Sequence, residues 1–263
     1  MKILFIGDIF GECGKYAIHS ELSNIKKNYN IDYVIANAEN TTLGRGLNWA
    51  DYNELNTSGI DFFTMGNHTW HKKDIFEILS KQKNIIRPAN ILKELEIGKF
   101  GVGSKTILLN NKSVRITNLL GSTVHFKDQQ TNPFLYLEEL LEKDNSDIHI
   151  VDFHSETTSE KNAFLLNFAG RVTAIFGTHT HVQTNDTKIY NNTAYITDVG
   201  MTGPKNGIIG AKPESIINMF MGNSERFRLE EQVGKYQFSA VVLEIDDLSN
   251  KPINLTNILI YQK

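Results

Sequence analysis

The sequence predicts an α/β protein of two packed sheets with helices on the outside of each. Three observations carry this. The first third of the chain reads strand, loop, helix three times over, the pattern of right-handed crossovers feeding a parallel sheet. Several strand-like runs are continuously apolar rather than alternating, as in strands buried on both faces. Later segments, by contrast, pair across Asn-rich turns as hairpins, which mixes antiparallel strands into the architecture.

In chain order, Ile3–Ile6 is a buried strand ending in the Gly-punctuated stretch Gly7-Asp8-Ile9-Phe10-Gly11-Glu12-Cys13-Gly14, read as a loop. Ile18, Leu22 and Ile25 then place a helix over Lys15–Asn28. Tyr33–Ala36 is a second strand, followed by Asn37-Ala38-Glu39-Asn40 and a polar loop to Gly46. Asn48 is a fitting N-cap for a helix to Ser58. Asp61–Met65 is a strand ending in Gly66-Asn67-His68, and Lys73–Ser80 is its helix. Ile86–Asn90 is extended, and Lys105–Asn110 with Ser113–Leu120 forms a hairpin. Pro133 sits in the first turn of a helix over Asn132–Lys143. The strand Asp147–Phe153 ends at His154, and the helix Glu160–Phe168 leads to the strand Val172–Phe176 and Gly177-Thr178-His179-Thr180-His181. A hairpin over Thr187–Thr197 enters the Gly-rich loop Asp198–Pro204, and a helix Ser215–Met221 and strands Tyr236–Ile245 and Ile253–Tyr261 close the chain. With no repeat, low-complexity run or linker, one domain over residues 1–263 is the expectation.

The 263 residues, 40% hydrophobic and 22% charged, have the composition of an ordinary globular chain able to bury a sizeable core. A net charge of −3 implies no general attraction to nucleic acid or to an anionic membrane, so long nucleic acid is not an expected partner. Cys13 is the one cysteine, which excludes an internal disulfide and Cys-rich zinc modules and fits a reducing compartment. The first apolar run is too short for a signal sequence, and none is long enough to span a bilayer. The expectation is a cytoplasmic protein.

In open α/β sheets ligands sit beyond the carboxyl ends of the strands. Five of those ends carry metal-ligating or catalytic side chains: Asp8; Glu39 and Asn40; Asn67 and His68; His154; and His179 with His181. That donor set exceeds the three protein ligands of one catalytic zinc and suits two metals sharing a bridging carboxylate. Its mix of nitrogen and oxygen favours Mn, Fe, Zn or Co over Ca or Mg. Two such cations clamp a phosphate and activate a bridging hydroxide for in-line attack on phosphorus. Asn67 and His68 are adjacent, so one can ligate while the other faces substrate as a proton donor; a further ligand or a loop hydrogen bond is the alternative role for His68.

Gly7-Asp8, Gly66-Asn67-His68 and Gly177-Thr178-His179-Thr180-His181 together resemble the dispersed signature of calcineurin-like metallophosphoesterases, over the whole length and in the same element order. Two departures stand out: Asp8-Ile9-Phe10 lacks the first motif's histidine, and Glu39 replaces the usual bridging aspartate. Both, with Asp8-Ile9-Phe10-Gly11 and Thr197–Pro204, are similar to the YmdB-like branch. The resemblance implies a four-layer α/β/β/α sandwich, a di-iron or other dimetal centre, and phosphodiesterase action on cyclic nucleotides, with 2′,3′- and 3′,5′-forms both open. It further implies Asp8, Glu39 and His181 on one metal, and Glu39, Asn67, His154 and His179 on the second. Asn40 would lie close by, with His68 catalytic and homo-oligomers possible.

Other residues carry weaker expectations. Arg45, in Gly44-Arg45-Gly46, is a candidate phosphate contact, and His125, in the loop after Gly121, a candidate substrate contact; Asp198 is a pocket residue on the family likeness alone. His71 is a lesser candidate. His19 and His149 are read as structural, and Cys13 as a small residue near the site. A phosphomonoesterase or nucleotidase is the same-class alternative function, and a regulatory nucleotide-binding protein without turnover is the different-class one.

Overall fold

The computed structural model describes residues 1–92, 94–124, 126, 130–223 and 230–263. Two mixed sheets share an interior. The first contains β1 (Lys2–Ile6), β2 (Asp8–Ile9), β3 (Tyr33–Asn37), β4 (Phe62–Thr64), β11 (Met201–Pro204), β12 (Tyr236–Ile245) and β13 (Pro252–Tyr261). Here β1, β3 and β4 run parallel, while β12 joins β1 and β13 antiparallel. The second runs β5-β6-β7-β8-β10-β9, from β5 (Ser104–Leu109), β6 (Lys112–Leu120), β7 (Ile148–His154), β8 (Ala174–Thr178), β9 (Lys188–Tyr190) and β10 (Thr193–Ile196). Its four central strands are parallel and the hairpin partners β5 and β9 antiparallel.

Three apolar clusters make the layers. Between the sheets lie Ile3, Phe5, Ile35 and Phe62 from one, and Ile116, Ile150, Phe176 and Ile196 from the other. On the outer face of the first sheet, α1 (Gly11–Tyr29), α2 (Trp49–Thr57) and α3 (Asp74–Lys81) bury Ile18, Leu22, Leu55 and Ile78. On the outer face of the second, α4 (Pro133–Leu141) and α5 (Thr158–Phe168) bury Leu137, Phe164 and Phe168. The order is α/β/β/α, as the resemblance implied. The last helix, α6 (Pro213–Phe220), buries only Ile216. No described helix is long and apolar enough to cross a membrane.

The Asn48 cap read from sequence is present and accepts the Asp51 amide. Asn132, read as the first residue of its helix, is instead its cap, accepting the Phe134 and Leu135 amides ahead of Pro133. Two expected loops are regular structure instead. The Gly7–Gly14 stretch holds β2 and the first turn of α1, and the Gly-rich 198–204 stretch holds β11, which pairs with β2. The glycines there serve close approach rather than looseness: a Cβ on Gly14 would sit 2.6 Å from the Thr202 carbonyl oxygen, and one on Gly7 1.9 Å from that of Gly200.

Phe176 and Phe5 meet across the inter-sheet core with ring centroids 5.1 Å apart, both fully buried. Phe176→Ala should therefore cost about 3–5 kcal/mol in chemical denaturation, because the close-packed core cannot refill the space.

Candidate metal centre

The parallel strands of both sheets end at one edge of the sandwich, and their carboxyl ends deliver the polar residues. Asp8 follows β1, Glu39 and Asn40 follow β3, and Asn67 and His68 follow β4; His154 ends β7, and His179 and His181 follow β8.

One atom is the focus. His154 Nε2 lies 2.9 Å from Asn67 Oδ1, 3.0 Å from His179 Nδ1 and 3.1 Å from Glu39 Oε1. An imidazole nitrogen can satisfy at most one of these acceptors by donating a proton. A divalent cation among them satisfies all four, and Glu39, His154 and His179 alone bring three ligand atoms within 4.8 Å of one another. A second focus surrounds Asp8. Its Oδ2 accepts the His179 amide at 3.2 Å, while its Oδ1 is buried with no hydrogen-bond partner and lies 3.9 Å from His181 Nε2. Asn40 Oδ1 is likewise buried without a partner, its Nδ2 being held by the Gly44 carbonyl at 2.9 Å. Orphaned buried acceptors of this kind are costly unless something positive meets them.

The electrostatics agree. Burial disfavours the His154 cation, yet Glu39, Asp8 and Asp152 outweigh it and raise the imidazole to about 9. Burial raises Asp8 above the usual carboxylate range, whereas the neighbouring histidines, His154 foremost, overcome burial and hold Glu39 far below it. His179, buried beside His154, is pushed down to about 2. The carboxylates thus create a demand for positive charge that a transition-metal cation with mixed N/O ligands fits.

The second nitrogen of each histidine is also fixed. His181 Nδ1 donates to the Ile209 carbonyl at 2.8 Å, which presents Nε2. His179 Nε2 meets Glu156 Oε2 at 2.9 Å, which presents Nδ1. His154 Nδ1 meets Thr178 Oγ1 at 2.9 Å, again presenting Nε2. Metal-ligating histidines are held in this way.

The His-x-His segment turns sharply: His179 and His181 have φ of 101° and 66°. Such left-handed backbone is held only where the surroundings over-determine it. Asp198 and Lys161 do so. Asp198 Oδ2 accepts the Thr180 amide at 3.0 Å, the Thr180 hydroxyl at 2.8 Å and Lys161 Nζ at 2.8 Å; Lys161 also donates to the Thr178 carbonyl at 3.0 Å. Asp198 is fully buried, and through these contacts it holds the His-x-His loop.

His68 donates its backbone amide to Glu39 Oε2 at 2.7 Å. Its ring is half-buried, with Nδ1 buried and unpartnered, and burial pulls its pKa down to about 4 against the charge of Glu39. The positive charge of Arg45 adds to that lowering. Exposed His71 packs edge-on against His68, with centroids 4.8 Å apart. His125 lies outside the described residues. His149 is structural, its Nε2 bonded to Thr117 at 2.8 Å and its Nδ1 2.7 Å from Asp144; His19 pairs with Glu54 at 2.9 Å. Cys13 Sγ contacts the Gly234 carbonyl at 3.4 Å.

Lys161, Asp152, Thr178, Glu156 and Ile209 were not singled out from sequence. Two left a signal: Lys161 shares the apolar stripe of Phe164, Leu165 and Phe168, and Asp152 interrupts a fully buried strand.

A family model described as YmdB-like protein matches residues 4–258. The chain belongs to the YmdB-like family. A Bacillus subtilis member named 2′,3′-cyclic-nucleotide 2′-phosphodiesterase is 42% identical over 264 residues, covering 99% of this chain and 97% of that protein. A Mycoplasma genitalium member, provisionally named a phosphatase/phosphodiesterase, is 45% identical over 262 residues, covering 99% and 93%. The crystal structure of a Mycoplasma pneumoniae phosphatase superposes with a TM-score of 0.96 at 43% identity, covering 99% of this chain and 93% of that one. With relatives this similar along its whole length, this YmdB-like chain is a hydrolase of the metallophosphoesterase type.

Gly66 tests the geometry of this YmdB-like site. A Cβ there would lie 2.3 Å from Glu39 Oε2 and 2.5 Å from His154 Nε2, inside the ligand cluster. Gly66→Ala should lower cation affinity at least tenfold, read by competition with a chelating dye.

Proposed function

We propose that the protein is a dimetal phosphodiesterase acting on cyclic nucleotides. The observation that supports this most strongly is the convergence of Glu39, Asn67 and His179 on His154 Nε2, beside the unpaired Oδ1 atoms of Asp8 and Asn40. Glu39, Asn67, His154 and His179 would hold one cation, and Asp8, Glu39, Asn40 and His181 the other. Such a pair supplies charge neutralisation at phosphorus and an activated water near neutral pH.

The chain's own groups do the rest. The ligand side chains, locked by their hydrogen-bond partners, fix where a phosphodiester is held relative to His68, so most of the rate gain comes from positioning. The His68 imidazole donates a proton or hydrogen bond to the leaving oxygen, and the Arg45 guanidinium binds a non-bridging phosphate oxygen. A 2′,3′-cyclic nucleotide is the favoured substrate because the Bacillus subtilis relative carries that name; 3′,5′-cyclic forms are tested alongside. Iron is the metal the family likeness favours, with Mn, Zn and Co as alternatives.

Elemental analysis of the purified protein should find two transition metals per chain. Hydrolysis of bis-p-nitrophenyl phosphate should disappear on chelation and return with Mn²⁺ or Fe²⁺, with 2′,3′-cyclic nucleotides hydrolysed faster than p-nitrophenyl phosphate. Faster turnover of the monoester would instead establish a phosphomonoesterase, and no rate with any of the four metals would end the enzymatic reading.

His68→Ala should lower kcat by about 10²–10⁴-fold, the range for loss of a positioned proton donor, while metal content stays at two per chain. Loss of metal in this variant would make His68 a ligand.

A further inference from the structure

His154 is the ligand whose second nitrogen is tied deepest into the fold. Its Nδ1 lies 2.9 Å from Thr178 Oγ1, and that hydroxyl donates to Asp152 Oδ1 at 2.6 Å. Asp152 Oδ2 accepts from Asn37 Nδ2 at 3.1 Å, and Asn37 also donates to the Met65 carbonyl at 3.1 Å. All four side chains are fully buried. A threonine hydroxyl has one proton. Here it goes to the carboxylate, so the contact with His154 requires Nδ1 to carry a proton and leaves Nε2 as the nitrogen open to a cation.

We propose that Thr178 and Asp152 form a positioning relay that sets the His154 tautomer and thereby the affinity of one of the two cation sites. The inference rests on the metal-centre reading above and assigns the control of that site to two residues that ligate nothing. The relay also spans both sheets. Asn37 ends β3 of the first sheet, while Asp152, His154 and Thr178 lie on β7 and β8 of the second.

The chain of donors makes a directional statement about Asp152→Asn. Asn37 Nδ2 needs an acceptor, so the new amide turns its oxygen toward Asn37 and its NH₂ toward Thr178. The Thr178 hydroxyl is then released to donate to His154 Nδ1. That inverts the tautomer, puts the proton on Nε2 and blocks the lone pair the cation needs. Thr178→Val removes the acceptor at nearly constant volume and leaves the ring free to choose. Thr178→Ser keeps the hydroxyl.

The test is Mn²⁺ titration of the chelator-stripped full chain, with stoichiometry and affinity read by electron paramagnetic resonance of free Mn²⁺, and thermal melting without added metal. Wild type should bind two ions. Thr178→Val should weaken one of the two sites by about 10–100-fold, as loss of such hydrogen-bond partners does, and leave the other unchanged. Asp152→Asn should weaken the same site at least as much, and Thr178→Ser should restore it. Melting without metal establishes that each variant is folded before titration. Should Thr178→Val fail to fold, Asp152→Asn against wild type carries the same expectation. Two wild-type-strength sites in either variant, equal weakening of both sites, or loss of affinity in Thr178→Ser would overturn the relay while leaving the metal centre standing. No Mn²⁺ bound by wild type would overturn the metal centre and the relay together.

Discussion

Glu39 and His154 come from different sheets, are both almost wholly excluded from solvent, and meet at 3.1 Å. The rest of the site depends on this contact. It occurs where β3 and β7 end, so the spacing of the two sheets, set by the apolar layer between them, decides whether the carboxylate and the imidazole can share a cation. A buried carboxylate facing two histidines and an amide oxygen is tolerable only if positive charge is concentrated among them. The core therefore brings together groups that cannot satisfy one another.

The second constraint is backbone strain. Two non-glycine residues with positive φ within three positions cost free energy, and the fold returns it through the buried Lys161–Asp198 pair. A buried ion pair is a weak source of net stability, because desolvation offsets attraction. Its value here is geometric: one carboxylate oxygen gathers Thr180 and Lys161, and Lys161 reaches on to the Thr178 carbonyl. The turn is thereby tied into the buried interior, which is the condition for pre-positioned ligands.

The candidate ligands were legible because each sits just after an apolar run, where chain direction and burial both follow from periodicity. Asp8, Glu39, Asn67, His154, His179 and His181 could be placed at one sheet edge without knowing any distance. The residues that hold them were harder to see. Thr178 and Asp198 fall within polar or Gly-rich stretches that also read as loop, and Glu156 and Ile209 act through contacts that no local pattern encodes. Glycine misled in the same way: Gly7 and Gly14 suggest a flexible loop in one dimension, but in three they allow strand and helix backbones to touch. Lys161 and Asp152 are the intermediate case, visible as charges set into apolar patterns though not as partners of anything named.

The tautomer argument unifies these layers. A histidine can ligate through either nitrogen, and the one exposed to the cation is decided by what the other nitrogen meets. In this protein the three deciding acceptors differ in kind: a threonine hydroxyl backed by a carboxylate, an exposed glutamate, and a backbone carbonyl at a residue with φ of 45°. Only the first is fully buried and fully hydrogen-bonded, so only it can hold its ring against thermal motion and competition from water. Asymmetry between the two proposed cation sites follows. The site containing His154 is set by the packed interior, whereas His181 answers to a surface loop between β11 and α6. Under the proposed assignment, variation in that loop would act on the site that His181 serves and leave the site of His154 to its buried partners.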